Sequence, residues 1–232
     1  MNFAEWQAKN DKQKTMKKNV DIPGSATEKE IIKKVASGET ILFEILVRRY
    51  NGVLYKIAKM YGFNSQDSED IVQDAHIAAF TELKNFEQRS SYKTWVSKIM
   101  INRCLYKIKH GPFKNELSAS QLISENKKPV HITEVEPDKK INNQELIKVL
   151  EACLQCLPLT YRTVFVLREV EGYSVNDTAA LLEISPANVK VRLNRAKDKL
   201  RKEIERFYSP SDLFDLKLAY CDNIVKKVLN KI

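Results

Sequence analysis

Residues 174–200, SVNDTAALLEISPANVKVRLNRAKDKL, carry two helix-start signals eleven residues apart. Ser174 precedes Asp177 by three, the spacing at which a cap hydroxyl and a returning carboxylate can each satisfy a free backbone N–H. Ser185 precedes Pro186, and proline suits a first helical position because its missing N–H would have had no partner inside the helix. A short helix and then a longer one are predicted, joined by a tight turn. Ala179, Leu182, Ile184 and Val189 are placed to form a small apolar core between them. The pattern is that of a helix-turn-helix. Glu183 stands where such a turn often has glycine, a cost on the order of 1 kcal/mol if the backbone there takes positive φ.

The second helix is strongly basic. Between Pro186 and Arg206, Lys190, Arg192, Arg195, Lys197, Lys199, Arg201, Lys202 and Arg206 face only Asp198, Glu203 and Glu205. The stretch before it, from Ile141 to Ser185, is acidic, with Lys148, Arg162 and Arg168 against Glu145, Glu151, Glu169, Glu171, Asp177 and Glu183. A basic helix joined to an acidic support is the electrostatic footprint of a helix lying along phosphates. The plainer alternative, a solvated helix with surplus lysine, does not account for the paired caps.

A chain of 232 residues suggests one or two domains, since domains usually fall near ~100 to 150 residues. Its net charge of +9 points to a polyanionic partner, nucleic acid or an anionic membrane face. No apolar run approaches the ~20 residues needed to cross a bilayer, and the lysine-scattered start lacks the apolar stretch of a signal peptide. The expectation is a cytoplasmic chain without membrane insertion. Cys153 and Cys156 form a C-x-x-C pair, but they sit in a run with helical apolar spacing and have no second pair to complete a zinc site, so they read as core cysteines. His76, His110 and His131 are dispersed, and no nucleophile, phosphate-binding loop or metal-ligand cluster stands out. The reading is therefore a protein without catalytic residues, metal or cofactor, and not an enzyme.

Six glycines and seven prolines leave little punctuation, and apolar spacing near 3.6 residues dominates, so the predicted fold is all-α. Residues 1–26 read as a flexible arm. A first helical domain spans 27–112, with two helices hinged near Ser37-Gly38, a third over about 65–83 and a fourth over about 92–110. Residues 113–140 are polar and interrupted by proline, a flexible linker. A second small helical domain, 141–208, contains the helix-turn-helix. Residues 209–232 form an amphipathic tail whose apolar positions Phe214, Leu218, Cys221, Val225, Val228 and Ile232 share one stripe.

The first domain has its own charge pattern. From Arg89 to Lys114 there are seven cations and no Asp or Glu, with Tyr92, Trp95 and Tyr106 interleaved. Cations neutralise phosphates and aromatic faces stack on unpaired bases, a combination suited to single-stranded nucleic acid. The plainer alternative makes Tyr92 and Trp95 core aromatics of a helix with a solvated basic face, and for Trp95 that reading is as good. Upstream, Asp67, Asp70 and Asp74 recur on one side of a helix whose other side offers Ile71, Ala75, Ala78 and Phe80. A capping role suits Asp67. It does not reach Asp74, so the face of Asp70, Gln73 and Asp74 suggests a protein partner.

In this order the parts resemble a bacterial RNA polymerase sigma factor. The resemblance covers about residues 27–207 and rests on DSEDIVQDA, SYKTWVSKIMIN and the stretch from LPLTYRTVFVLREVEGYS to VKVRLNRAKDKL, in order and at fitting spacing. The compact build is similar to the extracytoplasmic-function subgroup. The resemblance implies promoter-specific initiation with core RNA polymerase. Asp70, Gln73 and Asp74 would dock on the clamp helices of the β′ subunit, and the β flap is a further polymerase contact that the resemblance implies. Tyr92, Lys98, Asn102 and Arg103 would capture the melted minus-ten strand, with Asn102 and Arg103 near a flipped base and Trp95 a core residue beside them. Ser185, Asn188, Lys190, Arg192 and Arg195 would read the duplex minus-thirty-five element. An anti-sigma factor is a further partner the resemblance admits. The competing reading is a helix-turn-helix regulator that acts on duplex DNA without polymerase. It leaves the acidic stripe and the acid-free basic block without a role.

Overall fold

The computed structural model describes residues 27–110 and 143–206. The arm, the linker and the tail lie outside the described residues, as does Cys221. Eight α-helices and no strand occur among the described residues. The first four are α1 (Glu28–Ala36), α2 (Phe43–Met60), α3 (Ser65–Glu82) and α4 (Tyr92–His110). The second four are α5 (Asn143–Cys156), α6 (Leu159–Phe165), α7 (Val175–Leu182) and α8 (Pro186–Ile204).

Local chemistry sets most of the boundaries. Thr27 and Glu30 close a reciprocal capping box at the start of α1. Gly38, at φ +117°, provides the predicted hinge before α2. Asn64 Oδ1 accepts the Asp67 N–H at 2.8 Å and starts α3, and Ser91 Oγ accepts the Thr94 N–H at 3.1 Å to start α4. The expected capping role of Asp67 takes another form. Its carboxylate accepts the Asn64 amide at 2.7 Å and the Lys107 ammonium at 2.9 Å, tying the first turn of α3 to the end of α4.

Leu46, Leu54, Ile57, Ile71, Val96 and Met100 lie in the core of the first domain. In the second, Val149, Cys153, Leu157, Ala196 and Leu200 pack α5 against α8, and Val164, Ala179 and Val189 form the seam of the helix-turn-helix. The fold has the two small helical domains expected, and they are in contact. Leu159, Val166, Leu167, Tyr173 and Leu181 of the second domain are buried in one continuous cluster with the first.

Candidate nucleic-acid interface

The helix-turn-helix starts where its caps place it. Ser174 Oγ accepts the Asp177 N–H at 3.0 Å to open α7, and Ser185 Oγ accepts the Asn188 N–H at 3.2 Å to open α8. The Asp177 carboxylate takes the Ser174 hydroxyl at 2.5 Å rather than the Ser174 N–H, so only half of the expected box forms. Between the helices Glu183 adopts φ +56° and ψ +43°, the left-handed turn predicted to be costly for a side chain. The Ile184 N–H closes the turn on the Ala179 carbonyl at 3.1 Å.

Val189, Ala196 and Leu200 face inward along α8, and Lys190 and Arg195 lie exposed on its other side. Arg192 is half-buried and its Nε donates to Asn188 Oδ1 at 3.0 Å, which makes one i,i+4 unit of two predicted contact residues. The Ser185 hydroxyl is occupied by the cap. Sequence reasoning missed Val191, which is 48% exposed among these polar groups. Its signal was available: it falls out of register with Val189, Leu193 and Ala196.

On α4 the structure separates the predicted set. Asn102 and Arg103 are exposed, and Lys98 is half-buried one turn earlier. Tyr92 is 1% exposed, with ring centroids 5.3 Å from Tyr50, 5.5 Å from Trp95 and 5.9 Å from Phe86. It cannot stack on a base, because position 92 shares the inward register of Val96, Met100 and Cys104. Burial raises its hydroxyl pKa. Trp95 is half-buried on Phe86 at 4.8 Å. The aromatic that stays accessible is Tyr106, 64% exposed and stacked on His110 at 4.6 Å.

Asp70, Gln73 and Asp74 form one exposed stripe on α3. Ile77, 57% exposed, extends it by a turn, and Phe80 also reaches the surface at 40% exposure, instead of facing inward with Ile71 and Ala75 as expected. Phe80 leans on Phe43, with centroids 5.1 Å apart.

The two domains meet on the N-terminal half of α4. Lys98 Nζ donates to Glu183 Oε1 at 2.6 Å and to the Leu181 carbonyl at 3.2 Å. Lys93 Nζ donates to the Glu171 carbonyl at 2.6 Å and sits 4.4 Å from the Tyr173 ring centroid. Lys56 Nζ reaches Glu171 Oε1 at 2.8 Å, and the hydroxyls of Ser97 and Tyr173 share a hydrogen bond. The hydrogen bond and charge of Lys98 hold the Glu183 carboxyl below the usual carboxylate range. Among the described residues no three His, Cys, Asp or Glu side chains converge as metal ligands. Cys104, Cys153 and Cys156 are free thiols, and burial pushes Cys153 up to about 11. No helix among the described residues is long and apolar enough to cross a membrane.

Residues 46–111 match the family model for Sigma-70 region 2, and residues 147–200 match that for Sigma-70, region 4. The ECF RNA polymerase sigma factor SigW of Bacillus subtilis is 27% identical over 187 residues, covering 76% of this chain and 96% of that protein. Among solved structures, CnrH in complex with the cytosolic domain of CnrY is similar with TM-score 0.56 and 24% identity, over 77% of this chain and 97% of that one. The sigma factor RpoE of Bartonella quintana, in complex with the anti-sigma factor NepR, gives TM-score 0.53 and 20% identity over 70% and 96%. The two helical domains have their counterpart in these proteins, and the chain belongs to the bacterial RNA polymerase sigma factors of the extracytoplasmic-function subgroup. Its activity is promoter-specific transcription initiation together with core RNA polymerase.

Proposed function

We propose that α8 reads the duplex minus-thirty-five element and that α4 captures the melted minus-ten strand. In α8 the coupled pair of Asn188 and Arg192 offers both an amide and a guanidinium to base edges, while Lys190 and Arg195 anchor phosphates. Ser185 acts by fixing the first turn. In α4, Lys98, Asn102 and Arg103 meet the strand, and Tyr92 contributes from the core by holding the helix in place. The stripe of Asp70, Gln73 and Asp74 docks on the β′ clamp helices, and the second domain docks on the β flap. One solved relative is a complex with an anti-sigma factor, which supports a similar regulator for this chain. In these roles the region 2 domain is 27–112, the linker 113–140 and the region 4 domain 141–208.

The observation that carries this reading is that each of the two family-matched segments has a basic helix with a neighbouring amide and guanidinium, exposed in α4 and half-buried in α8, on one chain. Neither face need bind tightly, because attachment to one polymerase raises the effective concentration of the second contact. The test is run-off transcription with core polymerase on two templates. On a duplex promoter, Asn188→Ala or Arg192→Ala loses about 1–3 kcal/mol for each true base contact. On a pre-melted bubble carrying the minus-ten element alone those variants recover, and Asn102→Ala does not. The opposite pattern refutes the assignment.

A further inference from the structure

Cys153 and Cys156 lie in the last turn of α5, and the fold gives them unlike surroundings. Cys153 is buried with Val149, Leu157, Ala196 and Leu200 in the seam between α5 and α8. Cys156 is the last residue of the helix and is half-buried, and both are free thiols. The Leu157 N–H donates to the Leu154 carbonyl at 3.2 Å, an i→i+3 bond that winds the end of the helix tighter and draws side chains three apart into line. In a regular helix such side chains stand about 5–6 Å apart at Cβ, whereas a disulfide needs about 3.5–4.5 Å. A turn already tightened has only a short way to go.

A cation lies beside the pair. Arg162 of α6 is 3% exposed, its Nη1 donates to the neutral Gln155 side chain, and its buried Nε–H has no partner among the described residues. Burial lowers its pKa to about 10, and the described group that opposes this is Cys156. A buried guanidinium with a spare donor and no carboxylate stabilises negative charge that develops next to it. Cys104, fully buried in the core of the first domain, is closed to oxidants in solution.

We propose that Cys156 and Cys153 form a redox site at the end of α5, which takes hydrogen peroxide as its oxidant and controls the seating of α8. The Cys156 sulfur attacks one peroxide oxygen, so that an S–O bond forms and the O–O bond breaks. The hydroxide that leaves develops its charge beside Arg162 and takes up the thiol proton as water, and Cys156 becomes a sulfenic acid. The Cys153 sulfur then displaces the sulfenic hydroxyl: the S–S bond forms, the S–O bond breaks, and the second thiol proton departs with the hydroxyl as water. Two thiols lose two electrons in all, and one peroxide is reduced to two waters. The new bond pulls Cys153 out of its place against Ala196 and Leu200, and a close-packed seam does not absorb such a shift without moving the helix. The effect on DNA rests on the reading of α8 as the duplex-reading helix; the oxidation itself does not.

The test treats the reduced full-length chain with hydrogen peroxide, removes the peroxide by desalting, and maps the cysteines by mass spectrometry without reduction. The expected product is a disulfide between Cys153 and Cys156, with Cys104 still a thiol. In Cys153→Ala the sulfenic acid should persist on Cys156 and be captured by dimedone, and in Cys156→Ser dimedone should leave Cys153 unlabelled. The oxidised chain, added to core polymerase, should lose run-off transcription several-fold on the duplex promoter, keep it on the pre-melted minus-ten bubble, and recover with dithiothreitol. Peroxide-treated Cys156→Ser should show no such loss. The proposal is overturned if no Cys153–Cys156 bond forms, if Cys156 pairs with Cys221 instead, if dimedone captures Cys153 in Cys156→Ser, or if the bond leaves duplex transcription unchanged. Asn188→Ala on the reduced chain scores the reading of α8 without any oxidation, so failure of that reading is distinguishable from failure of the redox site.

Discussion

The hydroxyls of Ser97 and Tyr173 lie 2.5 Å apart, both residues almost fully buried, and join the N-terminal half of α4 to the approach of α7 across the boundary between the domains. Burial raises the Tyr173 pKa, so the bond is between neutral groups throughout the physiological range. Removing one partner strands the other without solvent, while removing both leaves a small apolar contact. Tyr173→Phe should thus lower thermal stability by about 1–3 kcal/mol, and adding Ser97→Ala should restore part of that loss. Calorimetry on the two single variants and the double variant measures the coupling; strictly additive losses would show that the two hydroxyls do not act as a pair.

Polymerase docking turns on the α3 stripe. Asp70 and Asp74 point away from Ile71, Val72 and Ala75, so reversing their charge leaves the packing of the helix untouched. Asp70→Lys with Asp74→Lys should keep wild-type helicity by circular dichroism and lose association with core polymerase in gel filtration. Ile77→Ser should weaken association in the same assay, since it exchanges apolar contact area for a hydroxyl. Wild-type transcription by the charge-reversed protein would move the docking surface elsewhere.

A pH effect on stability follows from His76. It is 6% exposed, neither ring nitrogen has a partner among the described residues, and burial lowers its pKa to about 4. The native state therefore holds the neutral ring while the unfolded chain takes up a proton below its ordinary value. Stability from this group is complete above about pH 6.5 and declines as the pH falls towards 4, by about 3 kcal/mol in all. Urea unfolding at intervals from pH 7.5 to 4 should show that decline in the wild type and a shallower one in His76→Leu. Equal slopes would assign the acid sensitivity to other groups.

Much of this architecture was legible because each signal was local. Ser174, Ser185 with Pro186, the glycine hinge at Gly38 and the run of 3.6-residue spacing each act within a few positions, and the helices start where these signals place them. What failed depended on which side of a helix meets a neighbour. Tyr92 looked like a stacking platform because it stands in a basic run, but its register with Val96 and Met100 turns it to the core. Phe80 looked internal because it was placed on the apolar face with Ile71, Ala75 and Ala78, yet it reaches the surface beside Ile77. The meeting of Glu171 with Lys56 and Lys93, across 115 and 78 positions of sequence, left no local trace beyond an excess of acid in one stretch and of base in the other.

Val191 gives the sharpest test of how α8 reads DNA. It is exposed between Lys190 and Arg192, and its two methyl groups are suited to pack against the 5-methyl of thymine in the major groove. Burying one methyl contributes about 0.8 kcal/mol, roughly a fourfold change in affinity that a binding titration resolves. Replacing each thymine of the upstream element in turn with deoxyuridine should weaken wild-type binding by that amount at one position. Val191→Ala should bind the unmodified element less well and be insensitive to deoxyuridine at that same position, while Asn188→Ala keeps the sensitivity. If no position responds to loss of the methyl, or if Val191→Ala responds as the wild type does, Val191 faces away from the bases and the helix is rotated from the orientation argued above.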